Sequence, residues 1–236
     1  MKHRIWELDA LRGLCILGMV IIHFVYDLVD LTGVLNWQFP PIYAFVQNWG
    51  GVVFLLISGI CVTLGSRSVR RGLIVFCCGL IVTAATAGMY LLNLAPISII
   101  IYFGVLHCLG LCMLLWPIFR RLPSWALAAL GGAMAAAGLL LQNTTVSHPW
   151  LIPLGITCPG FASSDYFPLL PHLGFFLLGA FLGKTLYRSK HTLLPGVNSR
   201  ALPLAFLQLC GKRSLWIYLL HQPILSGIAY LILLLQ

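Results

Sequence analysis

The sequence predicts an all-α fold, a polytopic membrane helix bundle of about seven transmembrane helices with a cytoplasmic N-terminus and an extracytoplasmic C-terminus. Three observations predict it. Hydrophobic residues make up 60% of the 236 positions and charged residues 8%, against about 25% charged in a soluble domain, so most of the surface must face lipid. Apolar runs of about 20 residues, the length that spans a bilayer, recur along the chain. The 14 Lys and Arg residues cluster between those runs on one predicted side only, as positive-inside signals do.

The runs follow in order. The first, Leu8–Leu28, carries Asp9, Arg12, His23 and Asp27, and no small-residue cleavage site follows it. It therefore reads as a retained helix and not as a signal peptide. The second is Ile42–Ser66, whose start, Ile42–Trp49, has the alternative reading of a separate interfacial segment. Arg70–Leu92, Pro96–Phe119, Pro123–Gln142, Phe167–Tyr187 and Leu215–Leu235 complete the set. Ala128–Ala137 is rich in Ala and Gly, which reads as close helix packing. Residues 1–236 read as a single transmembrane domain.

An N-terminus placed inside leaves every basic residue cytoplasmic. These are Lys2, Arg4 and Arg12, then Arg67, Arg70 and Arg71, then Arg120 and Arg121. Lys184, Arg188, Lys190, Arg200, Lys212 and Arg213 follow. The outer loops Asp30–Pro41 and Asn143–Tyr166 contain no Lys or Arg. In the cytoplasmic stretch Ser189–Ser214, Leu202–Leu209 reads as a segment lying along the interface.

Composition excludes several classes. The net charge is +9, but there is no long basic run and no aromatic RNA-binding signature, so no nucleic-acid partner is expected. Most of the eight cysteines sit in apolar runs, where a thiol packs as a small hydrophobe, so no disulfide framework is expected. Cys108 and Cys112 share a helix face without further ligands, and no metal is expected.

The first helix carries the chemistry. At about 100° per residue, Asp9, Arg12, His23, Asp27 and Asp30 fall on one face. Ionisable groups inside a membrane cost roughly 2.5–3.5 kcal/mol each on insertion scales and persist where they face a cavity or a partner. His23 and Asp27 are four apart and so are neighbours. A carboxylate that accepts one ring N–H leaves the other nitrogen as a base, the orienting logic of acyl transfer. A structural helix–helix hydrogen bond is the competing reading. Arg12, about 16 Å below His23 at 1.5 Å per residue, reads either as an anion contact or as a snorkelling residue. Asp9 reads as its pairing partner. His107, His172 and His221 are further intramembrane histidines. Pro223 leaves a carbonyl free beside His221.

Leu8-Asp-Ala-Leu-Arg-Gly13 followed by His23 resembles the opening of transmembrane acyltransferases. Phe54–Gly59, Tyr102–His107, Pro168–Gly183 and Gly211–Pro223 extend the likeness over nearly the whole chain. Together the stretches resemble bacterial members of the heparan-alpha-glucosaminide N-acetyltransferase catalytic-domain family, related to acyltransferase-3. The lysosomal member keeps its catalytic His in the outer loop after the first helix. This chain has no His between Asp27 and His107, and if the chemistry is shared the resemblance makes His23 the natural substitute.

The resemblance implies a membrane-embedded acyltransferase of the inner membrane. It would move an acetyl group from cytoplasmic acetyl-CoA to a hydroxyl or amine on an extracytoplasmic sugar or glycan. His23, Asp27 and His107 would be catalytic. Arg12, His221, Lys212, Arg213 and Arg71 would bind the acyl-CoA. The bilayer, acyl-CoA, the glycan and a second copy in a homodimer are the expected partners. A proton-coupled transporter, a haem-binding electron carrier and a structural membrane subunit remain alternatives from the residues alone.

Overall fold

The computed structural model describes residues 4–142 and 144–235. Lys2, His3 and Asn143, the head of the second predicted outer loop, lie outside the described residues. Among the described residues there are eight α-helices: α1 (Trp6–Tyr26), α2 (Pro41–Leu64), α3 (Ser68–Leu91), α4 (Val105–Phe119), α5 (Ser124–Leu141), α6 (Leu169–Leu186), α7 (Leu202–Lys212) and α8 (Ser214–Leu234). Six are long and apolar enough to cross a membrane: α1 with its extension to Leu31, α2, α3, α5, α6 and α8. The chain is therefore a multi-pass membrane protein.

The described residues fall into two compact units, one within residues 4–54 and 190–235 and the other within residues 55–189. In the first unit, α7 packs antiparallel along α1. Gly13 lies against the carbonyl of Leu207, and Gly211 lies against that of Asp9, so that a Cβ at either position would strike backbone. Small residues let helix backbones approach this closely. The chain turns at Arg213, and α8 then runs in the direction of α1. The predicted interfacial segment Leu202–Leu209 is thus a helix docked on α1. Leu202, Phe206 and Leu209 form its exposed side. At the start of α1 the carboxylate of buried Glu7 accepts Thr192 Oγ1–H (2.8 Å) and Leu193 N–H (2.9 Å). This pins the loop that leads to α7.

In the second unit, α5 and α6 meet through small residues. Gly131 faces the Gly174 carbonyl, Gly174 faces Ala135 and Gly138 faces Pro171, which accounts for the Ala/Gly-rich run. Lys184 of α6 donates to the carbonyls of Arg120 (2.8 Å) and Leu122 (2.7 Å) just past the end of α4. A cation there satisfies carbonyls the helix leaves free.

The second and fourth predicted spans come out in opposite ways. The predicted second span is continuous, since α2 runs unbroken from Pro41 and Ile42–Trp49 is no separate segment. The predicted fourth span, Pro96–Phe119, is not one helix. Only Val105–Phe119 is α-helical, after a short 3-10 turn at Ile97–Ile99. At 1.5 Å per residue α4 reaches about 22 Å, short of a hydrocarbon core of about 30 Å.

Neighbouring side chains meet the backbone before α4. Thr83 donates to the Ile101 carbonyl, and Ile101 N–H donates to Thr86 Oγ1 (3.2 Å). Ser163 donates to the Ile100 carbonyl (2.9 Å), and Val105 N–H donates to Asp165 Oδ2 (3.0 Å). Irregular backbone survives at this depth only where protein supplies such partners.

Candidate active site

The polar face of α1 meets α8 inside the first unit. Past Tyr26 the helix widens into a π-helical turn, Asp27–Leu31, closed where Thr32 Oγ1 donates to the Asp27 carbonyl (2.9 Å). This turn shifts the angular phase. Asp27 is wholly buried, whereas Asp30, predicted on the same face, is exposed.

Asp27 does not hydrogen-bond to His23 among the described residues. Its carboxylate instead accepts Gln222 Nε2–H at Oδ1 (2.9 Å) and Oδ2 (3.1 Å), and Ser226 Oγ–H at Oδ2 (3.1 Å). The predicted His23–Asp27 hydrogen bond is thus replaced by contacts to α8. The partners are neutral and so carry no charge signature in the sequence. A visible signal existed nonetheless, since Gln222 and Ser226 are polar residues four apart on an apolar helix.

His23 takes its orientation from its own helix. Its Nδ1 lies 2.9 Å from the Met19 carbonyl. A carbonyl only accepts, so Nδ1 carries the proton and neutral His23 keeps its lone pair on Nε2. His221 repeats the pattern with Nδ1–H donating to the Tyr218 carbonyl (2.5 Å). Pro223 stands in that turn of α8 and removes a helical donor. The two imidazoles meet edge to face, with centroids 5.0 Å apart and planes at 85°. His221 Nε2 and Gln222 Oε1 are both buried without a hydrogen-bond partner. From α2, Tyr43 donates its hydroxyl to the Ile22 carbonyl (3.1 Å) one residue before His23.

The basic end of the unit holds Arg4, Arg12, Lys212 and Arg213. Arg4, not Arg12, pairs with Asp9: its Nη2 donates to Oδ1 (3.2 Å), and its Nε lies 3.1 Å from Oδ2. That corrects the predicted Asp9–Arg12 pair and leaves Arg12 Nε buried without a partner. Lys212 and Arg213 are exposed at the α7–α8 corner.

Two predicted site residues lie in the second unit. Arg71 is exposed near the start of α3. His107 is buried at 2% exposure, and both its nitrogens are engaged. Gly104 N–H donates to Nδ1 (3.2 Å), so the ring proton is on Nε2, which donates to Thr83 Oγ1 (3.3 Å). This is the opposite tautomer from His23 and His221. The ring lies against Gly79, between Phe76 and Phe103. His107 thus ties the start of α4 to α3. His172 Nδ1–H donates to the Pro168 carbonyl (2.7 Å).

Gathered together, then, are His23, Asp27, His221, Gln222 and Ser226, with Arg12 lower on the same helix as His23. Two imidazoles that each keep a lone pair on Nε2, that of His221 buried and that of His23 on a half-buried ring, can take up or return a proton. The comparisons with known proteins give one match. The family model for heparan-alpha-glucosaminide N-acetyltransferase, catalytic, covers residues 4–223. No curated protein and no solved structure matches the chain.

Proposed function

Because the chain belongs to the heparan-alpha-glucosaminide N-acetyltransferase catalytic family, we propose that it is a membrane-embedded acetyltransferase. Its donor is acetyl-CoA from the cytoplasm, and its acceptor is a hydroxyl or amine of a sugar or glycan on the far side. The observation that carries the reading is the pair of imidazoles 5.0 Å apart. Each is fixed through Nδ1 so that Nε2 keeps its lone pair.

His23 is the general base. Its Nε2 takes the proton from the acceptor O–H or N–H as that atom bonds to the acyl carbon. The C–S bond of the thioester breaks, and the thiolate of CoA takes the proton back from the imidazolium. A covalent acyl-His intermediate is the variant in which Nε2 itself attacks the thioester first. Asp27 acts one step away, by fixing Gln222 and Ser226 of α8 opposite the base. Arg12, with an unpaired buried Nε, is the first candidate for a CoA phosphate. Lys212 and Arg213 at the same end of the unit follow it, and Arg71 is a separate candidate in the second unit.

The excess of basic residues on alternate loops supports a cytoplasmic N-terminus and a place in the inner membrane. The test is acetyl transfer by purified protein in liposomes. His23→Ala is expected to lower kcat by 10²–10⁴-fold, the usual worth of a positioned general base, while CoA still binds. Unchanged transfer by a folded His23→Ala protein refutes the assignment.

A further inference from the structure

Two orphan acceptors belong to consecutive residues of α8, and the reacting carbonyl and sulfur of the acyl donor cannot satisfy them. His221 Nε2 and Gln222 Oε1 are buried with no hydrogen-bond partner, and an unmet buried acceptor costs roughly 1–3 kcal/mol. Neither can turn away. His221 is held by its Nδ1–H bond to Tyr218. Gln222 is held by its amide group, which bonds to both oxygens of Asp27 and to Ser226 Oγ. Turning that amide over would set Oε1 against the carboxylate. The reacting end of a thioester, a carbonyl and a sulfur, has no hydrogen to donate. An acceptor substrate has. A primary amine keeps a second N–H beside the one it loses, and a sugar hydroxyl has neighbouring hydroxyls.

We propose that His221 Nε2 and Gln222 Oε1 form a positioning subsite for the acceptor. It receives a second donor hydrogen, carried on or next to the atom that is acetylated, while His23 takes the transferred proton. The assignment rests on the acetyltransferase reading above. It moves His221 from the CoA side of the reaction to the acceptor side. It also gives Asp27 a defined task, which is to keep Gln222 Oε1 pointing at the acceptor. The chemical class selected is a nucleophile with paired donors, a primary amine or a vicinal diol. An isolated alcohol lacks the second hydrogen.

The test uses the full chain in liposomes with acetyl-CoA and three acceptors: glucosamine, methyl glucoside and cyclohexanol. His221→Phe keeps a ring and loses Nε2. Gln222→Met keeps the length and loses Oε1. Each variant is expected to raise KM for the sugar acceptors about tenfold, with KM for acetyl-CoA within twofold, and the wild-type protein is expected to favour both sugars over cyclohexanol. A rise in KM for acetyl-CoA instead, or unchanged KM values for the sugars, overturns the subsite.

A second measurement needs no variant. Acylation of His221 by diethyl pyrocarbonate, read by mass spectrometry, is expected to be slowed by glucosamine or methyl glucoside and not by CoA. Protection by CoA alone overturns the proposal even if the variants fail to fold. No transfer to any of the three acceptors by the wild-type protein overturns the acetyltransferase reading itself, which separates that failure from failure of the subsite.

Discussion

Asp27 offers the sharpest test of how the first unit is held together. Its carboxylate is fully buried and accepts three contacts of 2.9–3.1 Å from Gln222 and Ser226. Side-chain hydrogen bonds between membrane helices average about 0.6 kcal/mol and reach about 1.7 kcal/mol. The acceptor here is a carboxylate, and bonds to charged groups run to about 1.5–3 kcal/mol. The Asp27–Gln222 pair should therefore couple by about 1.5 kcal/mol. Asp27→Ala alone, which also strands Ser226, should cost about 2–3 kcal/mol. The measurement is a double-mutant cycle of Asp27→Ala and Gln222→Ala in mixed micelles, with unfolding driven by a denaturing detergent and followed by tryptophan fluorescence. Independent sites add within about 0.3–0.5 kcal/mol. A coupling below about 0.5 kcal/mol would refute the claim that Asp27 organises α8.

Other outcomes follow from the same geometry. Gly13→Val places a side chain on the Leu207 carbonyl and should destabilise the α1–α7 pair by 1–3 kcal/mol or more, seen as faster proteolysis of the loop that Glu7 pins; Gly18→Val, with open space around it, should not. His107→Ala should lower thermal stability by roughly 1–3 kcal/mol, through the stranded Gly104 N–H and Thr83. Transfer per folded molecule should be retained, which a kcat measured on active-site-titrated protein checks. Burial pushes the Tyr166 phenol up to about 12, and its hydroxyl donates to the Ile152 carbonyl (2.6 Å). That contribution is complete below about pH 10, the unfolded value, and is lost as pH rises towards 12. Tyr166→Phe should remove this alkaline step from a stability-versus-pH curve.

The helical class and most spans were legible because lipid imposes length and composition on any crossing segment. The small-residue contact of α5 was legible for a similar reason, since only Ala and Gly permit it. His23 was legible because an ionisable group in an apolar run needs a cause. What escaped the reading depends on partners distant in sequence. Angular arithmetic on α1 assumed one pitch throughout, and the π-helical turn at Asp27 broke that assumption and released Asp30 to the exterior. The true partners of Asp27 lie some 195–199 residues away. His107 drew the same reading as His23 from the sequence. That Gly104 and Thr83 occupy both its nitrogens is a fact of tertiary structure the sequence does not carry. Glu7, Gln222 and Ser226 were passed over because their partners lie far along the chain.

The broken stretch before α4 bears on how the protein is made. A translocon partitions segments one at a time according to how well each hides its own backbone. Residues 92–104 cannot do so fully, because the backbone groups of Ile100, Ile101 and the adjoining Val105 are completed by Thr83 and Thr86 upstream and by Ser163 and Asp165, some 60 residues further on. Nascent chain that has emerged only as far as Phe119 therefore lacks half of these partners. The α4 helix and the stretch before it therefore settle only after the loop before α6 has been synthesised. A ribosome-stalled intermediate ending between α4 and α5 should accordingly remain open to aqueous thiol or glycosylation probes placed in 92–104, and one ending beyond α6 should not.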